Sequence, residues 1–103
     1  MKVLKGVLNE ELARLKAVEK SYLREIKKLP KGSIQEKRIK GRLYPYLVSN
    51  KGSKVIYQYA GKLSEAEYKE LGDNIALRKK YQGFLREVRQ NIGRIGKILH
   101  VKR

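Results

Sequence analysis

Cysteine is absent from the 103-residue chain. Its absence excludes disulfides, thiolate zinc sites, iron–sulfur clusters and cysteine nucleophiles together. Histidine occurs once, as His100, and a single imidazole cannot build a metal site. A histidine at a helix end ordinarily meets the last free carbonyls, which is the plain reading here. Long apolar runs are missing too: nothing approaches the roughly 18 residues of a membrane span. Glu10 and Glu11 interrupt the start where a signal peptide needs continuous apolar sequence. A soluble, cytoplasmic protein is the expectation. No P-loop, GxSxG elbow or HExxH helix is present, and the acidic residues cluster without metal-ligand spacing, leaving Glu36 and His100 as isolated acid–base candidates. The chain is therefore not expected to be an enzyme, and no catalytic residue, metal or cofactor is assigned.

Acidic residues are also scarce. Ten Asp and Glu stand against 26 Lys and Arg, net +16 on 12.0 kDa. A surface of that charge repels itself and is neutralised by a polyanion. Nucleic acid is the first candidate partner and an acidic protein the second; an anionic membrane is a distant third, and no membrane association is expected.

The length suits one domain, 1–103, with one core or a core plus a protruding element. Residues 1–29 carry Leu8, Leu12, Leu15, Tyr22, Ile26 and Leu29 at steps of four and three, with Val18 filling the gap, which predicts an amphipathic helix. Glu10 and Arg14 stand four apart, the spacing of a helical ion pair. Pro30 and Gly32 end the helix. The period then changes to two, and 33–60 reads as an antiparallel meander of two or three strands: 33–39, 42–49 and 54–60. Lys40-Gly41 and Lys51-Gly52 are the expected tight turns. That register sets Val48 opposite Val55, Tyr46 opposite Tyr57 and Tyr44 opposite Tyr59. Gln35, Lys37, Ile39 and Arg42 join the tyrosines on one face, while Ile34, Leu43, Leu47, Ile56 and Ala60 make an aliphatic face suited to a helix. Pro45 breaks the pattern of the central strand, so a bulge or partial pairing of the outer strand is expected there.

Ser64 to Glu67 forms a capping box that should open a long basic helix, 64–100. Tyr68, Leu71, Ile75, Tyr81, Leu85, Val88, Ile92, Ile95 and Leu99 form its apolar stripe. Gly72, Gly83, Gly93 and Gly96 weaken it, with a break near Gly72-Asp73 or fraying after Gly93 expected. The fold class is α+β: two long amphipathic helices packed as an antiparallel, hairpin-like pair with the small meander between them. A coiled-coil or swapped homodimer through the helix heptads is the competing assembly.

Charge is distributed unevenly. Residues 30–63 carry eight basic side chains against Glu36 alone, and 74–103 carry nine against Glu87 alone. On the meander, Lys37, Arg38, Lys40, Arg42, Lys51, Lys54 and Lys62 accompany Tyr44, Tyr46, Tyr57 and Tyr59 as candidate nucleic-acid contacts. On the last helix the candidates are Arg78, Lys79, Lys80, Arg86, Arg89, Arg94 and Lys97. A helix dipole favours cations only in the final turn, so it does not account for charge spread over so many turns. Small basic sheets bind single strands by stacking bases on aromatic rings and enter major grooves with lysines on phosphates. Equally, tyrosine favours strands and could be half-buried core here, which leaves the exposed face of the sheet open.

The blocks L-P-K-G-S-I at 29–34, G-R-L-Y-P-Y-L at 41–47 and G-S-K-V-I-Y-Q-Y-A-G-K at 52–62 resemble a small basic prokaryotic domain of unknown function with LPxGSI, GxxYxYL and GKVxxxYxGK blocks. The resemblance covers about residues 28–90, with Pro45 standing where that domain usually has an aromatic or polar residue. It implies a mobile-element or nucleotidyltransferase context and transfers no catalytic residues. The leading expectation is a weakly sequence-specific DNA- or RNA-binding protein that uses the basic hairpin and basic helix on the phosphate backbone. The alternatives are a non-enzymatic accessory subunit or phage-type inhibitor docked on a nucleoprotein complex, and an antitoxin-like mask for an acidic partner.

Overall fold

A computed structural model describes residues 2–100. In chain order it comprises helix α1 (Lys2–Lys28), strands β1 (Ser33–Ile39), β2 (Arg42–Lys51) and β3 (Lys54–Tyr59), and helix α2 (Glu65–His100). The layout is α+β, and the two helices pack as an antiparallel pair. The chain forms two compact units, one of α1 with α2 from Lys79 onward, the other Leu29–Arg78. Helix α2 runs without a break through Gly72 and Gly93, where interruption or fraying was expected. Gly72 faces the sheet, where a Cβ would meet Ile34 Cδ1 at 3.9 Å, an ordinary van der Waals contact that does not itself require glycine.

In the helix pair, the Tyr22 ring lies 5.8 Å from the rings of both Tyr81 and Phe84. Arg89 Nε donates to Glu19 Oε2 at 2.9 Å. One turn further back on α1, Leu15 borders a cleft with Asn91 and Ile95. Falling numbers on α1 thus meet rising numbers on α2, the antiparallel arrangement. Leu15, Ile26, Leu85 and Val88 are buried, and the other described members of the two stripes in this unit are half-buried. On α1, Arg14 pairs with Glu11, not Glu10, and Lys28 with Glu25 at 3.4 Å. Residues three apart on a helix are neighbours as much as residues four apart, so the arginine had two carboxylates in reach.

In Leu29–Arg78 the sheet order is β1-β2-β3, all antiparallel. The first hairpin has the expected register, with Ile39 opposite Arg42 and Lys37 opposite Tyr44. Lys40 (φ 51°) and Gly41 (φ 82°) form its two-residue loop, both left-handed as a type I′ turn requires. The second hairpin differs from expectation. Its loop is Gly52-Ser53, with Lys51 opposite Lys54, Val48 opposite Tyr57 and Tyr46 opposite Tyr59. Of these two loop residues only Gly52 (φ 65°) is left-handed, as in a type II′ turn, whose first central position calls for glycine. The register is therefore two residues away from that expected. Because strand faces alternate with period two, a two-residue offset leaves every side chain on the expected face.

Pro45 is accommodated without a bulge. It pairs with Glu36 on β1, and on its other side regular pairing with β3 stops at Tyr46–Tyr59. One step on, Ala60 N–H donates to the Pro45 carbonyl at 2.9 Å, while the Ala60 carbonyl accepts from Leu63 N–H at 3.3 Å. The carbonyl that a residue with an N–H at position 45 would have bonded is used by the following turn. The aliphatic face covers the start of α2: Ile34, Leu47 and Ile56 are half-buried and Ala60 and Ile75 buried. Leu43, at the sheet's end, stays exposed.

Candidate nucleic-acid interface

The face opposite the start of α2 holds the tyrosines. Alternation along the strands puts Gln35, Lys37 and Ile39 of β1, Arg42, Tyr44, Tyr46, Val48 and Asn50 of β2, and Val55, Tyr57 and Tyr59 of β3 on it. Tyr57 and Tyr59 are 48% and 47% exposed, far too open for core residues. Tyr44 and Tyr46 are half-buried, largely beneath their aromatic neighbours: Tyr59 lies 6.2 Å from Tyr44 and 5.5 Å from Tyr46, and Tyr46 meets Tyr57 edge-on at 6.4 Å. From β1, Lys37 reaches over this cluster, its Nζ 3.9 Å from the Tyr57 ring centroid and 5.2 Å from that of Tyr46. An ammonium over a ring face is attracted by the ring quadrupole.

No carboxylate lies on the tyrosine face. Glu36 falls on the other side, where it lines a cleft of about 370 Å³ with Leu43, Pro45, Leu63 and Glu65. The basic candidates divide accordingly. Lys37 and Arg42 share the tyrosine face; Arg38, Lys51 and Lys54 lie on the other; Lys40 is at a hairpin tip and Lys62 in the turn after β3. All seven are exposed.

Three of these lysines sit where the fold alone would not choose lysine. Lys40 occupies a left-handed position that asparagine or glycine fills with less strain. Lys51 and Lys54 face each other directly across the second hairpin, a like-charge pair that opposes its closure.

On α2, Lys79, Arg86 and Lys97 align along one flank, since 18 residues make about five turns, and Arg89 lies between that flank and α1. Arg89 is tied to Glu19. Arg94 is exposed further round the helix, and Lys80 stands beyond it, about 100° from Lys79, its Nζ 5.8 Å from the Phe84 ring centroid. Arg78 differs from the rest: it is half-buried, with its Nε enclosed and unpaired. Two residues not anticipated from the sequence join this surface. Gln82 and Gln90 line an open groove of about 590 Å³ with Leu85, Arg86 and Arg89. Their spacing, four residues either side of Arg86, is the signal that could have found them. Asn50 on the sheet was missed likewise, although strand alternation assigns it to the tyrosine face, where Gln35 was already expected. Among the described residues, no group of three or more His, Cys, Asp or Glu side chains is placed to hold a metal ion, and no helix is long and apolar enough to cross a membrane.

Compared with protein-family models, curated proteins and solved structures, the chain gives no match.

Proposed function

We propose that this protein is a non-enzymatic nucleic-acid-binding protein of the cytoplasm, contacting the phosphate backbone through the basic hairpins and the basic flank of α2, with weak sequence specificity. The observation that carries this reading is the sheet: a face of exposed tyrosines without a carboxylate, and lysines at the hairpin turns kept in positions that cost local stability. Strain and like-charge opposition persist where another role retains them. Lysines on a rim and arginines along a helix flank meet phosphate oxygens, and the resulting affinity depends steeply on salt through counterion release.

Phe84 and Ile98 remain exposed on α2, and they favour a second reading, an accessory or inhibitory protein docked on a nucleoprotein complex. The mobile-element context implied by the three sequence blocks fits either.

The test is fluorescence anisotropy of labelled single-stranded RNA, single-stranded DNA and duplex DNA at about 50 and 200 mM salt. Binding that weakens by orders of magnitude over that interval is expected. No binding to any of the three at the lower salt would overturn the leading reading and favour the second, for which a complex that survives nuclease digestion is the signature.

A further inference from the structure

The tyrosine face differs chemically from the other basic surfaces, because it offers ring faces as well as charge. Tyr57 and Tyr59 alternate on the outer strand, so their side chains stand about 6.8 Å apart. Stacked bases in a duplex follow one another at about 3.4 Å, each covered above and below by its neighbours. A duplex therefore has no free base face to lay on either ring, whereas an extended, unpaired strand can set successive bases at the tyrosine spacing. The cation over Tyr57 is the second observation. Lys37 Nζ, 3.9 Å from the ring centroid, stands where a stacked base would lie, and it is a flexible side chain carrying the charge that a phosphate needs. Tyr59 is differently placed: its ring lies over Gly61, where any side chain would collide with it.

We infer that the tyrosine face is a site for an unpaired nucleic-acid strand, in which bases stack on Tyr57 and Tyr59 and the Lys37 ammonium leaves the Tyr57 ring for a phosphate of the same strand. The inference rests on the nucleic-acid reading above and adds the strandedness, the two stacking residues and the role of Lys37. Arg42 on the same face and Lys40 at the adjacent tip give the backbone further cationic contacts. The conformational change is confined to one lysine side chain.

The experiment compares four labelled ligands of equal length with the full chain: oligo(dT), oligo(U), an abasic deoxyribose-phosphate strand, and duplex DNA. Stacking distinguishes the first two from the third, which has the phosphates without the bases. Wild-type protein should bind the base-bearing strands at least tenfold tighter than the abasic one, stacking being worth about tenfold per base. Tyr57→Ala with Tyr59→Ala should remove that difference and leave abasic binding unchanged. Tyr57→Phe, which keeps the ring, should retain it, and far-ultraviolet circular dichroism identifies any variant that has lost its fold. Lys37→Gln should make the salt dependence of oligo(dT) binding shallower by about 0.7 in log–log slope, one phosphate contact. Equal affinity for base-bearing and abasic strands overturns the stacking site while leaving the general reading intact. Equal loss on both strands in a folded double variant also overturns it, since the tyrosines would then act only by supporting the hairpin. Failure to bind any ligand at low salt defeats the general reading itself. Duplex DNA bound as tightly as oligo(dT), with the same loss in the double tyrosine variant, would overturn the assignment to an unpaired strand.

Discussion

Lys40 is the residue at which local preference and position disagree most plainly. Its φ of 51° lies in a region where asparagine is several-fold more at home, and the residue after it is the glycine that completes the type I′ loop. Lys40→Asn should therefore raise folding stability by about 1 kcal/mol, a Tm increase of several degrees, while weakening nucleic-acid binding. Thermal denaturation and anisotropy on the same variant measure the two, and a stabilised variant with undiminished affinity would show that Lys40 makes no contact. The Lys51–Lys54 pair allows a parallel argument. Lys54→Glu replaces repulsion by attraction across the pair, so a gain of roughly 0.5 kcal/mol should accompany weaker binding. Gly32 presents the opposite situation. Its φ of 105° and the carbonyl of Val48 leave no room for a side chain, so Gly32→Ala should destabilise by about 2 kcal/mol or more, read from urea denaturation.

At the scale of elements, the start of α2 is fixed by a complete capping box. Ser64 N–H donates to Glu67 Oε1 at 3.0 Å, and Glu67 N–H donates to Ser64 Oγ at 3.1 Å. Accepting hydrogen bonds from the Ser64 backbone first, and from its side chain second, holds the Glu67 carboxyl below its ordinary value. A carboxyl whose folded pKa is depressed stabilises the fold fully above its unfolded pKa, and that contribution disappears as the pH falls through the lower, folded value. The Ser64 amide resonance should accordingly shift on acidification at a pH below the usual carboxylate range, and Glu67→Gln should abolish the titration. Both helices, their apolar stripes, the three strands and their faces were legible in the sequence, because each rests on a period of 3.6 or 2 that a few residues cannot disguise. Less was legible at the second turn. Lys51-Gly52 and Gly52-Ser53 both put a glycine in a loop, and only the backbone conformation decides which of its two positions glycine takes. The continuity of α2 was also hidden, since helix propensity charges Gly72 its full cost while the sheet packed against it supplies the compensation. On the candidate surface the lysine and tyrosine positions were legible by type, whereas the enclosure of Arg78 Nε and the reach of Lys37 across β2 depend on packing that no spacing encodes.

For the whole molecule, the governing quantity is a net charge of +16 on 103 residues, with only six buried hydrophobic side chains among those described. A small core supplies little stability in excess of conformational entropy, so charge repulsion between exposed lysines and arginines is a comparatively large opposing term. Added salt shortens the range of that repulsion, with a Debye length near 10 Å at about 0.1 M. Folding and binding must then respond to salt in opposite directions. Between about 50 and 200 mM sodium chloride the Tm of the free protein should rise, because screening relieves the folded state more than the expanded one, while affinity for nucleic acid falls through lost counterion release. Circular dichroism melts and anisotropy titrations in the same buffers measure the pair. A Tm that falls with salt would mean that ion pairs such as Arg89 with Glu19 outweigh the repulsion. The basic surface would then be internally compensated and would have less need of a polyanion. A rising Tm, matched at low salt by further stabilisation when oligonucleotide is added, would identify the charge as an excess that the partner neutralises, since a ligand that binds only the native state stabilises it by mass action.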